Sequence, residues 1–111
     1  MKEGKDESKL KELKTERERI LKEIRKTKNL MRGSMYERER KCGGKNCWCY
    51  KSEKGHPQTM LTLHSKGKQI GISIRSERKK EVKAMIDEYN RLWDLIERLT
   101  DVNIKIIREE R

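Results

Sequence analysis

The chain has 111 residues, which is room for one small domain, with or without helical extensions, and not for two independent enzyme domains. Hydrophobic residues make up 32% of it and charged residues 44%, so a thick hydrophobic core is not expected. No stretch approaches the roughly 18 uncharged apolar residues of a membrane-spanning helix, and residues 1–8 lack the apolar run of a secretion signal. We therefore expect a soluble, cytoplasmic chain.

The net charge of +11 arises from thirty Lys and Arg residues against nineteen Asp and Glu residues, and it is unevenly distributed. Residues 1–32 carry a net charge of +5, residues 33–76 carry +6, and residues 77–111 carry none. The charge thus divides the chain into three segments, of which the first two are basic.

Apolar residues in the first segment follow a helical spacing. From about residue 6 to residue 32 they recur at intervals of three and four if Arg17 and Thr27 fill the gaps. These residues are Leu10, Leu13, Ile20, Ile24 and Met31. Gly33, followed by Ser34, is a typical helix stop. We predict a basic N-terminal helix over residues 1–32, with a narrow apolar stripe that needs a partner surface.

The third segment, residues 77–111, predicts a longer amphipathic helix. Its apolar stripe consists of Val82, Met85, Tyr89, Leu92, Ile96 and Leu99. Ser76 directly precedes the acidic Glu77 and can cap the start of this helix. We expect the two stripes to pack against each other, either as a coiled-coil-like bundle within one chain or across a homodimer.

Between the helices the period changes from helical to alternating. Residues 58–64 and 69–74 alternate as two β-strands do, and residues 65–68 form the turn between them. Residues 34–41 are a candidate third strand. Pro57 lies at the start of the first strand of the hairpin, a position where the missing backbone N–H is tolerated because few ladder hydrogen bonds are lost.

Three cysteines lie within eight residues, which is a poor arrangement for a disulfide framework and a good one for a metal site in a reducing compartment. Cys42, Cys47 and Cys49 have the spacing C-x4-C-x-C, and His56 follows seven residues later. Three thiolates and one imidazole are an accepted ligand set for structural zinc. Gly43 and Gly44 allow a tight turn around the ion.

The predicted fold is therefore α+β: a long N-terminal helix, a small zinc-stabilised antiparallel sheet of two or three strands in residues 33–76, and a C-terminal helix. Two other interpretations of the cysteines stay open, namely inert buried cysteines with a surface His56, and a redox or nucleophilic thiol. His64, at a strand end, is expected on the surface. Because four protein ligands leave no open coordination position, we expect a structural zinc ion and no enzyme activity.

The middle of the chain also resembles a known group of proteins. Arg32-Gly33-Ser34, Lys41-Cys42-Gly43, Cys47-x-Cys49 and Gly55-His56-Pro57, followed by a hairpin and a helix, are similar to a family of small uncharacterised proteins of archaea and bacteria, often linked to mobile elements. The resemblance covers about residues 30–100 and implies that the three cysteines and His56 form one constellation. This chain differs where Pro57 directly follows His56 and where Met60 and Leu61 replace aromatic residues.

Nucleic acid is the partner that the charge most directly suggests, because each phosphate neutralised by Lys or Arg releases a condensed counterion. Trp48 and Tyr50 lie among the basic residues and can stack on bases. The expected contact residues are Arg38, Arg40, Lys41, Lys45, Trp48, Tyr50, Lys51, Lys54, Lys66 and Lys68. DNA is favoured over RNA, which would place the chain at the nucleoid. Neither helix carries a recognition set for the major groove, so specific base recognition is not expected.

Three alternatives to this function differ in their consequences. An RNA-binding or ribosome-associated factor would use the same basic residues. A structural or adaptor protein would use its helical stripes, and the charge would serve solubility alone. A thiol or metal enzyme would lose turnover on Cys47→Ser without unfolding, whereas a structural zinc site would lose metal and fold together.

Overall fold

The computed structural model describes residues 7–41 and 43–110. In chain order the elements are α1 (Glu7–Arg25), β1 (Ser34–Arg40), β2 (His56–Ser65), β3 (Lys68–Ile74) and α2 (Lys79–Glu110), with short 3₁₀ helices at Trp48–Tyr50 and Ser76–Arg78. This order of a helix, an antiparallel sheet and a helix confirms the α+β class. Among the described residues, no helix combines the length and the apolar character that crossing a membrane requires.

The sheet has three antiparallel strands in the order β1-β2-β3, which confirms the candidate third strand. The register pairs Ser34 with Thr62 and Arg40 with His56, and the hairpin closes at the pair of Ser65 and Lys68. The two residues of the hairpin turn, Lys66 and Gly67, both have positive φ angles, of 52° and 78°. Such a turn matches the right-handed twist of the two strands that it joins.

The first helix is shorter than predicted, because α1 ends at Arg25 and not near Gly33. The carbonyl oxygen of Ile24 accepts hydrogen bonds from both the N–H and the hydroxyl of Thr27. The N–H of Lys28, which would bond to that carbonyl in a continuing helix, instead donates to Glu88 Oε2 at 2.8 Å. A side chain sixty residues away thus takes the donor that the next helical turn needs.

The predicted cap of the second helix was also wrong. Ser76 lies inside the 3₁₀ helix that precedes α2, and its hydroxyl contacts the carboxylate of Glu77 at 3.5 Å. The α-helix itself begins at Lys79 and continues without a break past Thr100 to Glu110.

The chain divides into two compact units, one formed by Met1–Leu30 with Asp87–Arg111 and the other by Met31–Ile86. We call them the helical unit and the sheet unit. The core of the helical unit contains four buried residues and four partly buried ones. The buried residues are Ile20, Leu95, Val102 and Ile106, and the partly buried ones are Leu10, Leu13, Ile24 and Leu99.

Within the helical unit, the buried face of α2 differs from the predicted stripe. Leu95 is 4% exposed, whereas Ile96, which was assigned to the stripe, is 36% exposed. The core row of Leu95, Leu99, Val102 and Ile106 keeps the spacing of four and three; it shares Leu99 with the predicted stripe, whereas Leu95 takes the place of Ile96. Both rows are apolar, and the one that faces Ile20 of α1 is the one that is buried.

The sheet unit has a smaller core. Leu61 and Thr59 of β2 are buried, as are Cys49 of the loop and Val82 in the first turns of α2. At the start of β1, Gly33 has a φ of 154°, and a Cβ at this position would lie 2.7 Å from Leu61 Cδ1. Gly33 therefore matters for the close approach of the chain to the sheet and not as a helix stop.

Candidate metal centre and basic surface

The loop between β1 and β2 returns to the sheet through a close backbone contact. A Cβ on Gly55 would lie 2.6 to 2.8 Å from backbone atoms of Arg40, so only glycine fits there without a shift. The N–H of Gly55 donates to Glu39 Oε2 at 3.2 Å, and Lys41 Nζ donates to the carbonyl oxygen of Ser52. These contacts close the base of the loop and set His56 as the first residue of β2.

Inside the loop, two tight turns position the cysteines. The N–H of Cys47 donates to the carbonyl oxygen of Gly44 at 3.1 Å, and the N–H of Tyr50 donates to the carbonyl oxygen of Cys47 at 3.0 Å. The second of these bonds belongs to the 3₁₀ helix Trp48–Tyr50, which turns Cys49 inward until it is fully buried.

Cys47, Cys49 and His56 converge on one point, as the sequence predicted. Their ligand atoms all lie within 4.8 Å of one another, and Cys47 Sγ is 3.0 Å from His56 Nε2. Cys47 and His56 are partly buried, so the cluster is closed on the side of Cys49 and accessible on the other. Cys42, the fourth predicted ligand, lies outside the described residues.

The three residues fit a metal ion. Two soft sulfur ligands and one imidazole suit zinc, and atoms within 4.8 Å of one another can share one ion. Zinc bonds of about 2.3 Å to sulfur and about 2.0–2.1 Å to nitrogen would separate Sγ and Nε2 by about 3.6 Å in a tetrahedron. The observed contact of 3.0 Å is a direct thiol–imidazole contact, so metal binding requires Cys47 and His56 to open by about half an ångström.

The aromatic residues of the loop are accessible. Trp48 is 57% exposed and Tyr50 is 51% exposed. The ring of Trp48 also meets the ring of His56 edge-on, with their centres 4.9 Å apart. Trp48 therefore packs beside a candidate metal ligand and still offers half of its surface to solvent.

The predicted nucleic-acid contacts fall into two groups. Arg38 and Lys41 are used within the sheet unit, because Arg38 Nε donates to Gln58 Oε1 at 2.7 Å and Lys41 donates to Ser52. The remaining cations are exposed and form no ion pair within residues 7–41 and 43–110. They are Arg40, Lys45, Lys51, Lys54, Lys66 and Lys68.

Sequence analysis missed a groove beside the candidate metal cluster of Cys47, Cys49 and His56. It has a volume of about 640 Å³, and its walls include His56 and the basic residues Arg40, Arg75 and Lys79. Lys79 Nζ is 2.6 Å from Glu37 Oε1, and Thr59 Oγ1 donates to the same oxygen at 2.8 Å. Both hydrogen bonds lower the pKa of the Glu37 carboxyl, and the bond from Lys79 has the larger effect. No sequence signal placed Arg75 and Lys79 near the loop, because only the sheet brings them there.

Comparison with known proteins identifies the family. Residues 10–84 match a family described as a domain of unknown function, DUF6788. The match covers more than half of the chain, which therefore belongs to this family; it begins in α1, includes the sheet and the loop, and ends in the first turns of α2. No curated protein and no solved structure matches the chain. The membership agrees with the expected family of small uncharacterised proteins, whereas its motif pattern and its link to mobile elements stay predictions.

Proposed function

We propose that this chain is a zinc-stabilised basic protein that binds nucleic acid through its phosphates, with DNA favoured over RNA. One observation carries the proposal: the sheet unit, Met31–Ile86, contains fourteen Lys and Arg residues against five Asp and Glu residues. Nine of the eleven net positive charges thus belong to the unit that also holds the metal cluster. A surface of this kind binds the phosphate backbone without reading the base sequence.

The distribution of free cations supports this proposal. Lys45, Lys51 and Lys54 are exposed on the loop, beside the exposed rings of Trp48 and Tyr50. Lysine ammonium groups can neutralise phosphates while the two rings stack on bases. A metal ion held by Cys47, Cys49 and His56 would fix the loop that presents them, since structural zinc supplies folding free energy directly.

The hairpin turn adds a second argument. Asn-Gly, Asp-Gly and Gly-Gly are the favoured pairs for a turn with two positive φ angles, and here Lys66 takes the first position with a φ of 52°. A lysine in this conformation has an energetic cost. Its use, together with Lys68, places two cations at the tip of the sheet, where a phosphate can reach them.

Binding can be measured by fluorescence anisotropy with a labelled DNA duplex. The affinity should fall steeply as the salt concentration rises from about 50 to about 200 mM. The reason is that releasing condensed cations from the DNA phosphates becomes less favourable as the salt concentration of the solution rises. Single-stranded DNA and double-stranded RNA as competitors distinguish DNA binding from the RNA-associated alternative. No detectable binding at the lower salt concentration would disprove the proposal.

A pair of matched triple variants tests the binding surface. Replacing Lys45, Lys51 and Lys54 by Gln should weaken binding and reduce the salt dependence by about one counterion for each lost phosphate contact. The control replaces Lys11, Lys22 and Arg25 by Gln, which removes the same charge from the exposed side of α1. An equal loss in both variants would mean that net charge alone drives binding and that the loop is not the binding surface.

A further inference from the structure

The groove beside the candidate metal cluster lies within the sheet unit and carries an excess of positive charge. Arg40, Arg75 and Lys79 line it, and Glu37 is the acidic residue among its described lining residues. Lys79 Nζ is 2.6 Å from Glu37 Oε1, so these two charges offset each other. Arg40 and Arg75 are exposed and form no ion pair within residues 7–41 and 43–110. Three cations against one carboxylate thus leave two positive charges in the groove.

The strand register gathers several of the lining side chains on one face of the sheet. The groove lies where β1 and β3 end and where β2 begins. Because side chains alternate along a strand, the pairing of β1 and of β3 with β2 puts Arg40, Gln58 and Ser73 on the same face. Arg75 follows Ser73 by two residues and keeps an extended backbone, with φ −66° and ψ 148°, so it continues this face.

A chain of hydrogen bonds crosses the same face and orients the hydroxyl of Ser73. Arg38 Nε donates to Gln58 Oε1 at 2.7 Å, and Gln58 Nε2 donates to Ser73 Oγ at 3.1 Å. Ser73 Oγ is therefore the acceptor in this bond, and its own hydrogen remains available as a donor. Because the chain starts at a guanidinium cation, it polarises the hydroxyl at its end. A donor of this kind at the groove favours a negatively charged ligand.

We propose that the groove binds a phosphate monoester as its dianion, held by Arg40, Arg75 and the hydroxyl of Ser73. Guanidinium groups match phosphate oxygens in bidentate pairs. The two excess positive charges match a monoester, which carries a charge of about −1.5 to −2 near pH 7, better than a diester with one charge. The volume of about 640 Å³ exceeds what a phosphate group needs, and Pro57 and Ile74 provide an apolar wall for the group that carries it.

Two sources present this chemistry, namely a free nucleotide and the phosphorylated end of a nucleic acid. The groove is separate from the lysines of the loop and of the hairpin turn, because Arg40 is the predicted nucleic-acid contact that also lines it. Phosphate binding in the groove therefore goes beyond the proposed function, and only a nucleic-acid end as the source rests on it.

The first test is calorimetric titration of the full-length chain with three matched ligands. Adenosine 5′-monophosphate should bind saturably, with one molecule per chain, and inorganic phosphate should compete with it. Adenosine, which lacks the phosphate, and 3′,5′-cyclic adenosine monophosphate, which is a diester, should bind at least about tenfold more weakly. No saturable binding of the monoester, or equal binding of the monoester and the cyclic diester, overturns the proposal.

The second test compares charge removal inside and outside the groove. Arg75→Gln should weaken binding of adenosine 5′-monophosphate about tenfold, and Arg75→Lys should recover only part of the loss, because lysine keeps the charge without the fork. Ser73→Ala should weaken binding by a smaller factor. The control is Lys80→Gln, which removes one exposed positive charge of α2 outside the groove. An equal loss in Arg75→Gln and Lys80→Gln would show that net charge alone attracts the ligand and would overturn the proposal.

The third test distinguishes the two sources of the phosphate. If the ligand is a nucleic-acid end, DNA with a 5′-phosphate should bind more tightly than the same DNA with a 5′-hydroxyl, and Arg75→Gln should abolish the difference. Equal binding of both DNAs, with nucleotide binding intact, assigns the groove to small phosphorylated molecules.

The triple variant of Lys45, Lys51 and Lys54 separates this site from the proposed DNA-binding surface. It should bind adenosine 5′-monophosphate as the wild type does, even where binding of the DNA duplex is weakened. Loss of nucleotide binding in this variant would place the phosphate at the loop and would contradict a site in the groove.

Discussion

Gly55 is the residue at which the loop between β1 and β2 passes closest to the backbone of β1 among the glycines with measured contacts. It passes against the backbone of Arg40, and the next residue is His56, a candidate ligand. The triplet Gly55-His56-Pro57 was recognised from its resemblance to a known family. The reason why position 55 needs glycine is steric, and it becomes visible only in the structure, where β1 pairs with β2. At Gly33 the same kind of close approach occurs, there against Leu61.

Gly55→Ala should destabilise the sheet unit by about 1–3 kcal/mol, the usual cost of forcing an extra carbon into a packed site. The added Cβ would meet backbone atoms of Arg40 at 2.6 to 2.8 Å, and these cannot rotate away as a flexible side chain can. Urea unfolding of the variant in a Trp93→Phe background, followed by the fluorescence of Trp48, measures the loss of stability.

Gly71→Ala is the matched control for this change. A Cβ on Gly71 in β3 meets only Met60 Cε, at 3.8 Å, which is ordinary contact. Alanine should leave stability unchanged or raise it by up to about 1 kcal/mol, because it restricts the unfolded chain. Equal behaviour of the two alanine variants would contradict the close approach at Gly55.

At the scale of elements, Glu88 links the end of α1 to α2 within the helical unit. Its carboxylate accepts two hydrogen bonds from Arg91, at 3.0 and 2.9 Å, and one from the N–H of Lys28 at 2.8 Å. These hydrogen bonds lower the pKa of Glu88 to about 2. The bonds from Arg91 contribute most to this shift, and the bond from Lys28 comes second. The charged form of Glu88 is thus the one that the fold favours.

Glu88→Gln should lower the urea midpoint of unfolding at pH 7. The difference between the midpoints of the variant and the wild type should become smaller as the pH falls. The sign follows from linkage: a carboxylate whose folded pKa is about 2, below its ordinary value of 4.5, stabilises the fold above pH 4.5 and loses this contribution as the pH falls toward 2. Measurements at pH 7, 4.5 and 3 trace the change. Glu12→Gln, an exposed site on α1, is the control, and an undiminished gap at pH 3 would contradict the assignment.

At the scale of the whole molecule, the two units depend on different sources of stability. The helical unit has an apolar core around Ile20 and Leu95. Among its described residues, 31–41 and 43–86, the sheet unit buries few large side chains, and it gathers Cys47, Cys49 and His56. Each unit also contains one tryptophan, Trp48 in the sheet unit and Trp93 in the helical unit, so each can be followed separately.

Removal of metal by a chelator should therefore change the two reporters differently. With Trp93→Phe, the remaining Trp48 should shift its emission and become more accessible to a quencher, because its neighbour His56 is released. With Trp48→Phe, the remaining Trp93 and the helical circular dichroism signal should change little. Metal analysis by mass spectrometry of the untreated protein accompanies the measurement.

Cys49→Ser completes that experiment, since it should reproduce the metal-free signal of Trp48 without any chelator. A protein that binds no metal, or a chelator that leaves Trp48 unchanged, would contradict a structural zinc site. A folded Cys47→Ser variant with normal metal content would favour the alternative of a reactive thiol.

The sequence by itself determined what local periodicity and residue chemistry can encode. The helical spacing of Leu10 to Ile24, the alternation on either side of the turn at Lys66 and Gly67, and the thiol–imidazole cluster with its surrounding lysines were all evident from neighbouring residues. These features are local because a helix or a hairpin repeats every two to four residues.

Only the tertiary structure decided where α1 ends, which apolar row of α2 is buried, and which residues lie beside the candidate metal cluster. The Lys28 N–H bonds to Glu88, sixty residues away. Leu95 is buried in place of Ile96 because the row facing Ile20 is the one covered. Arg75 joins the groove through the register of β3 on β2. In each case the outcome depends on a contact between residues far apart in the chain, which spacing along the sequence does not encode.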